Sequence, residues 1–291
     1  MSSKEIMYYK ETTSKEYVEC MWQGDNEPLH LHPGYCNGNL ADCVLRDNAL
    51  IAGTTGAGKS NLCNVLLLDL MMQLPPDKFG FTYLDGSKGC EVGTYIARDG
   101  HVKSPHMIAY YDGNTEPDVG KTLAITMNWA MRHPGARTVI IADEFTRLPM
   151  SLYSWSLFAE GFRKHNIHVI FTSQLNDDEV IRSLLYTVDC SLRISLRSPD
   201  RVVEATLGKL SDEPIKQKAG LADILETSKE VVDRVEVPFV DWRYLDDCLS
   251  NFKDKAGGAV NLWKLQWCYT DMQAYDERMR TVMWTHHHID N

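Results

Sequence analysis

The chain has 291 residues, 44% of them hydrophobic, and a formal net charge of −10, which suits one large α/β domain or two small ones. No apolar run reaches the roughly 18 residues that a membrane span needs, so the chain is not itself expected to span a membrane. The acidic balance excludes a protein that coats nucleic acid with its whole surface, but not one that touches phosphates with a few loops.

Residues 1–27 form a polar N-terminal extension without an apolar leader core, and the eight cysteines make no C-x-x-C pair. A cytoplasmic protein with free thiols is expected. Residues 28–47 hold Pro28, Pro33, Gly34 and Gly38, which predict turns and short strands. His30, His32, Cys36 and Cys43 lie there too. Zinc is one reading of them, but their spacing fits no standard ligand pattern.

Ala49–Ala52 is a short apolar run of strand type, and residues 61–72 read as a helix ending near Pro75-Pro76. Between them lies Gly53-Thr54-Thr55-Gly56-Ala57-Gly58-Lys59-Ser60, which matches G-x-x-x-x-G-K-[ST] in the strand–loop–helix setting that a phosphate-binding loop requires. The glycines let the backbone curl so that successive N–H groups face phosphate oxygens, and the helix N-terminus behind them favours an anion. ATP is therefore expected on Gly53–Ser60 and Asn61. Lys59 supplies the cation for the β and γ phosphates and Ser60 the hydroxyl for Mg2+.

Phe79–Asp85 reads as a second strand ending in a carboxylate, followed by a loop over 86–91 and a new element at Val92–Ile96. Residues 99–120 are rich in Gly, Pro and Asp, with a short apolar patch at Met107–Ala109, and 121–132 suit a helix closed by Pro134-Gly135. Thr138–Glu144 is a buried strand with two adjacent acids at its tip, the Walker B pattern. Asp143 is expected to hold Mg2+, and Glu144 to orient or deprotonate the attacking water; a solvated turn is the plain alternative. A helix over 151–165 with Ser151 as cap leads to the strand Ile167–Gln174, whose terminal Gln174 is placed to sense the γ phosphate or position water.

Asp177 and Asp178 are candidate caps for a helix over Glu179–Tyr186. Cys190–Leu196 is a strand candidate with Arg193 and Arg197 in or beside it, and Asp200–Leu207 a short helix stopped by Gly208. Residues 209–228 are mostly polar, and Val231–Val240 is a late strand run. Strands alternate with helices from 49 to 240, the signature of a mostly parallel sheet covered by helices on both faces. Beyond a hinge-like Gly257-Gly258, Val260–Tyr269 alternates as a strand. Thr270 and Gln273 form a capping box before a helix with Met272, Tyr275, Met279, Val282 and Met283 on one face. This extension either packs back on the domain or docks a neighbouring subunit or a partner.

Several motifs together resemble the FtsK/SpoIIIE motors of the FtsK–HerA superfamily. Ala52–Ser60 is similar to their A-G-T-T-G-S-G-K-S loop, and Asp85 to Tyr95 to D-P-K-x-x-E-L-x-x-Y, with Glu91 and Tyr95 matched, one extra residue, and Gly86 in place of Pro. Asp143-Glu144-Phe145 matches D-E-F, Thr172-Ser173-Gln174 stands for A-T-Q, and Leu192–Ser195 for T-R-I-A. Gly220 to Ile224 and Arg234 to Asp241 resemble the closing G-D-M-L and R-x-x-x-x-F-V-x-D segments. The family's S-R pair is replaced near Glu204-Ala205, and neither a DNA-orienting winged helix nor a preceding membrane segment is recognisable.

The resemblance implies a RecA-like P-loop motor domain over 28–245, flanked by the N-terminal extension 1–27 and a C-terminal strand–helix extension over 246–291. It implies a homo-oligomeric ring, a hexamer in most members, that hydrolyses ATP with Mg2+ to pull double-stranded DNA without sequence preference. Arg193 is the first candidate for an arginine finger because it falls in the T-R-I-A match, followed by Arg197 and Arg182; a surface ion pair is the plain reading of each. Lys88, Arg147, Arg163 and Lys164 are candidate DNA contacts in loops after the strands. Two further readings remain: a protein-translocating ATPase of the type VII secretion kind, and a non-motor, nucleotide-bound structural subunit. The C-terminal extension is a candidate contact to a membrane or portal complex.

Overall fold

Alternate residues of the central strands face two different cores, and this decides where each helix lies. The computed structural model describes residues 5–7, 28–87, 91–97, 102–113, 118–174, 178–210, 220–241, 243, 245–246, 248–249 and 269–271. In chain order β1 (Glu5–Met7) precedes β2 (Leu29–Leu31), β3 (Tyr35–Cys36), β4 (Asn39–Leu40), β5 (Cys43–Leu45) and β6 (Asn48–Ala52). Then come α1 (Lys59–Gln73), β7 (Phe79–Asp85), a 3-10 turn at Val92–Tyr95, β8 (Met107–Tyr111), α2 (Val119–Arg132) and β9 (Arg137–Asp143). A 3-10 turn at Phe145–Arg147 leads to α3 (Leu152–Arg163), β10 (Ile167–Ser173), α4 (Asp178–Thr187), β11 (Cys190–Ser195) and α5 (Asp200–Leu207). The series closes with β12 (Leu221–Glu226), β13 (Val232–Glu236) and β14 (Tyr269–Asp271).

The main sheet has ten strands in the order β4-β3-β13-β12-β11-β6-β10-β9-β7-β8. From β11 to β8 every neighbour is parallel; from β11 outward to β4 the pairs are antiparallel. Ala49, Ile51, Phe81, Tyr83, Val139, Ile141 and Ile170 pack with the apolar side of α1 on one face. Leu50, Ala52, Leu84, Ile140, Ala142, Val169 and Phe171 pack with α2, α3 and α4 on the other. Burial on both faces explains why these strands read as continuous apolar runs. The expected mostly parallel, RecA-like α/β architecture holds, with helices on both faces.

Two strands differ from expectation. Residues 209–228 read as polar, yet Leu221–Glu226 is β12, and its Asp223 is 1% exposed. Arg234 of β13 explains this: its Nε and a terminal nitrogen donate to Asp223 at 2.9 and 3.2 Å, so a charged residue occupies an inner position. The late strand spans only Val232–Glu236; Pro238 has no N–H to continue a ladder. The Met107–Ala109 patch is the start of β8, the sheet's edge. Ser151 caps α3 as expected, accepting from Ser154 N, while Asp178 lies inside α4 rather than before it.

β1 pairs with β14 with Ile6 opposite Thr270, so Thr270 stands in a strand and not at a helix cap. Asp177, Gly257-Gly258, residues 260–268, Gln273 and the Met272–Met283 face lie outside the described residues.

Candidate functional site

β6 ends at Ala52 between β10 and β11, at the centre of the sheet, where clefts form beyond the carboxyl ends of parallel strands. The chain turns there through residues 53–58 into α1. Gly56 and Gly58 have φ of 69° and 100°, a left-handed backbone that suits glycine. Gly53 sits in a tight place: a Cβ there would lie 3.1 Å from the Cβ atoms of Ala57 and Leu196. The loop is pinned from the neighbouring strands, since Gly53 N donates to Ser173 O at 3.2 Å and Thr54 N to Arg197 O at 3.0 Å. No side chain caps α1, whose N-cap is Gly58. The first N–H groups of α1 are left for an anion.

Lys59 is buried beneath this loop. Its Nζ donates to Gly53 O at 3.0 Å and Thr54 O at 3.3 Å and lies 3.7 Å from Glu144 Oε1. Burial lowers the pKa of the ammonium, opposed by the Glu144 and Asp143 carboxylates. Asn61, expected among the nucleotide contacts, uses its side chain otherwise: Nδ2 donates to Pro238 O and Oδ1 accepts from Val240 N, both at 2.8 Å. It fastens the segment after β13 to the first turn of α1.

β9 ends at Asp143, one residue earlier than the sequence suggested. Glu144 leaves the strand with φ 48° and ψ 52°, a conformation that costs a non-glycine residue about 1–3 kcal/mol and concentrates at functional sites. The turn brings Glu144 to Lys59. Thr172 of β10 joins both acids, its hydroxyl donating to Asp143 Oδ1 at 2.5 Å and accepting from Glu144 N at 2.9 Å. Gln174 N donates to Glu144 Oε2 at 3.3 Å, and Gln174 Oε1 accepts the Thr55 hydroxyl at 2.9 Å. Gln174 therefore links the phosphate loop to the second acid. Burial raises the Asp143 carboxyl to about 7, offset by the Thr172 hydrogen bond and reinforced by Glu91, Asp85 and Glu144.

Two residues not expected in the site belong to it. Asp85 lies opposite Asp143 in register and is fully buried. It accepts from the backbone N–H of Ser87, Glu91 and Val92 at 2.6, 2.9 and 3.0 Å. Glu91 stands close enough to Asp143 for its carboxylate to help raise the Asp143 pKa. The acidic tip of β7 and the spacing to Glu91 were visible in the sequence, but nothing there placed Glu91 beside Asp143.

Ser60 and Asp143 fit Mg2+, a hard cation with oxygen ligands. Among the described residues no group of three His, Cys, Asp or Glu side chains is arranged to hold a metal. His30 and His32 of the zinc alternative turn to carboxylates instead: His30 Nδ1 lies 2.8 Å from Asp42, and His32 Nδ1 3.1 Å from Asp69.

The arginine candidates separate. Arg197 is at the loop, a terminal nitrogen 3.4 Å from Thr55 O. Arg193 Nε donates to Cys190 O at 3.3 Å, so its guanidinium folds back toward the start of β11, away from the loop. Arg182 makes an exposed i,i+4 pair with Asp178 at 3.6 Å. Arg147 is exposed in the turn after Glu144. Arg163 reaches Asp47, just before β6, at 3.5 Å, so it and Lys164 lie at the opposite end of the sheet; the α3–β10 connection precedes a strand rather than following one. Lys88 lies outside the described residues. Glu204, in place of the family arginine motif, sits on α5 with Ala205 buried beside it.

The sequence model of the FtsK/SpoIIIE family matches residues 28–221. The DNA translocase FtsK of Caulobacter vibrioides is 36% identical over 93 residues, 32% of this chain and 10% of that protein; the chain thus matches about a tenth of the length of this curated relative. The cytoplasmic domain of the type VII secretion ATPase EccC of Thermomonospora curvata superposes with a TM-score of 0.57 at 18% identity, over 86% of this chain and 34% of that one. The pCW3 conjugation coupling protein TcpA, a monomer form with ATPγS, superposes with a TM-score of 0.53 at 13% identity, over 83% of this chain and 73% of that one. At these identities the structural likeness shows the fold.

Proposed function

The chain belongs to the FtsK/SpoIIIE family of ATPases, and from that premise we propose that it hydrolyses ATP to move double-stranded DNA through a homo-oligomeric ring, a hexamer, in the cytoplasm. The observation that carries the reading is the joining of loop and acid pair: Lys59 Nζ lies 3.7 Å from Glu144 Oε1, while Gln174 bonds both Thr55 and Glu144.

The backbone N–H groups of the loop and of the first turn of α1 take the phosphates, with Lys59 as the buried cation. Ser60 and Asp143 would hold Mg2+, which when bound would neutralise charge developing on the phosphate oxygens. Before a phosphate arrives, Lys59 is satisfied by Gly53 O, Thr54 O and Glu144. A phosphate drawing Lys59 onto itself leaves Glu144 a buried carboxylate without its cation, held by the Gln174 N–H and able to accept a proton from water. Gln174 feels the loop through Thr55 and Glu144 through its own N–H, so occupancy of one site is reported to the other. Arg197 acts from the same subunit at the loop rim. Arg193 and Arg147 are the proposed cations presented to a neighbouring subunit or to the strand.

DNA held through phosphates is gripped without sequence preference, with affinity falling steeply as salt rises. ATP turnover measured with and without linear duplex DNA tests the reading. The acidic net charge leaves a helical protein substrate as the second reading, and a peptide arm of the same assay separates the two.

A further inference from the structure

We propose that Thr172 is a positioning residue for both acids of the site, fixing Asp143 through its side chain and Glu144 through its main chain with a single hydroxyl. The inference rests on the nucleotide site described above and adds a residue that acts through the acids rather than on nucleotide.

Strand alternation places the hydroxyl. Ile141 of β9 and Ile170 of β10 pack in the core that includes α1. Two residues further on, Asp143 and Thr172 face the same side of the sheet. β10 is flanked by β6 and β9, and Thr172 is fully buried between them. Its branched Cβ leaves χ1 little freedom. The direction of its two hydrogen bonds is settled by chemistry. A backbone N–H can only donate, so the Thr172 oxygen accepts from Glu144 N, at 2.9 Å. The single hydroxyl proton then goes to Asp143 Oδ1, at 2.5 Å. Asp143 Oδ2 takes the longer bond from the Ser87 hydroxyl, at 3.3 Å, so Thr172 has the firmer hold on the carboxylate.

The peptide between the two acids is held from both sides. Gly86 N, just past the end of β7, donates to Asp143 O at 2.9 Å, and Thr172 binds the Glu144 N–H of the same peptide unit. The two strands that flank β9 therefore set the plane of that peptide. Gly86 packs so closely that a Cβ would lie 2.8 Å from Asp143 O and 2.6 Å from Glu144 O. Glu144 depends on this clamp, because its left-handed turn is what brings its carboxylate to Lys59. A methyl in place of the hydroxyl would keep the shape of the side chain while leaving a buried N–H without its acceptor and Oδ1 without its donor.

The test is binding of a fluorescent ADP analogue to the full chain, titrated in EDTA and in Mg2+, together with ATP turnover at saturating Mg2+ and nucleotide. The wild type should bind more tightly with Mg2+. Thr172→Val should reduce that Mg2+-dependent gain by about 10-fold or more, as for the loss of a partner that orients a metal ligand, with affinity in EDTA within about 2-fold of wild type. Its kcat at saturation should also fall about 10-fold, because Glu144 is then misplaced even when the metal is bound. Thr172→Ser keeps the hydroxyl and should recover most of both. If Thr172→Val does not fold, Thr172→Cys, a weak donor at the same place, is measured in its stead with the same expectation. An unchanged Mg2+ gain in the variant overturns the proposal, and so does an equal loss in EDTA and Mg2+, which a general packing defect would produce. A Thr172→Ser variant as poor as Thr172→Val would show that the methyl and not the hydroxyl matters. An unchanged kcat at saturation would strike out the hold on Glu144 and with it the double role. A wild type that binds the analogue without any Mg2+ effect would remove Asp143 as a metal ligand and the proposal with it. Failure of DNA to stimulate turnover bears on the motor reading alone.

Discussion

Lys59 and Glu144 are buried side by side, 5% and 3% exposed in their side chains, with Nζ 3.7 Å from Oε1. Lys59 is held also by Gly53 O and Thr54 O, and Glu144 also by the Gln174 N–H. Lys59→Ala should lower ATP turnover by about 10²–10³-fold or more, because the loop loses its only side-chain cation for developing charge. Glu144→Gln should lower turnover by about 10²–10⁴-fold while nucleotide still binds. Phosphate release and fluorescent-nucleotide titration on both variants check this; Glu144→Gln with unchanged turnover would support the non-motor subunit instead.

The bond from Thr55 to Gln174 carries the link between loop and second acid. Thr55→Val removes the hydroxyl from an exposed position without burdening the fold. It should leave nucleotide affinity within about 2-fold of wild type and cut turnover about 10-fold, an order-of-magnitude value for a lost positioning contact. Gln174→Ala should do the same, and the double variant should be little worse than either, as for one shared interaction. Independent, multiplying losses would show that the two residues do not act through each other.

His32 and Asp69 form a buried pair beneath the middle of α1. His32 N and Nδ1 lie 2.9 and 3.1 Å from Asp69 Oδ2, Gln73 Nε2 donates to the same oxygen at 2.8 Å, and Asp42 lies 3.7 Å from Nε2. Burial opposes protonation, but Asp69 and then Asp42 outweigh it, so the imidazole pKa is raised above 6.5. The native state thus holds a proton that the unfolded state has released, and stability falls as pH rises from about 6.5 through the folded value. Thermal denaturation between pH 6 and 8.5 should show this slope, and His32→Gln should flatten it. An unchanged slope in the variant would place its origin elsewhere.

Asp223 and Arg234 stabilise the antiparallel half of the sheet, with the Asp223 side chain 2% exposed. Arg234→Leu should cost about 3 kcal/mol by leaving a buried carboxylate unpaired, and the double variant D223L/R234L should recover part of it. Chemical denaturation of the three forms measures both effects. A double variant no more stable than Arg234→Leu would mean that packing, not charge, sets the cost.

The parallel half of the fold was legible because its strands are apolar on both faces and its loops carry the site. Phe79–Asp85 and Asp200–Leu207 have the bounds the sequence predicts, and Ser151 caps where its residue type says. β12 was not legible, since an acid that pairs with Arg234 across a strand looks in sequence like one in a loop. Of the site, the loop, Asp143, Glu144 and Gln174 come together as the motifs imply. The use of the Asn61 side chain was not legible, because its partners are backbone some 180 residues away in sequence, at Pro238 and Val240. Glu91 was visible only as a spacing, because its place beside Asp143 depends on the Asp85 and Tyr95 anchors. Arg193 follows a motif that gives no direction, and its side chain points away from its own loop.

The most direct measurement is steady-state ATP turnover with linear duplex DNA, single-stranded DNA and a helical peptide compared at low salt. Stimulation by duplex DNA of any sequence, fading as salt rises and absent in Lys59→Ala, is the predicted result. Turnover that ignores duplex DNA at low salt, or that rises with the peptide alone, would contradict a DNA motor.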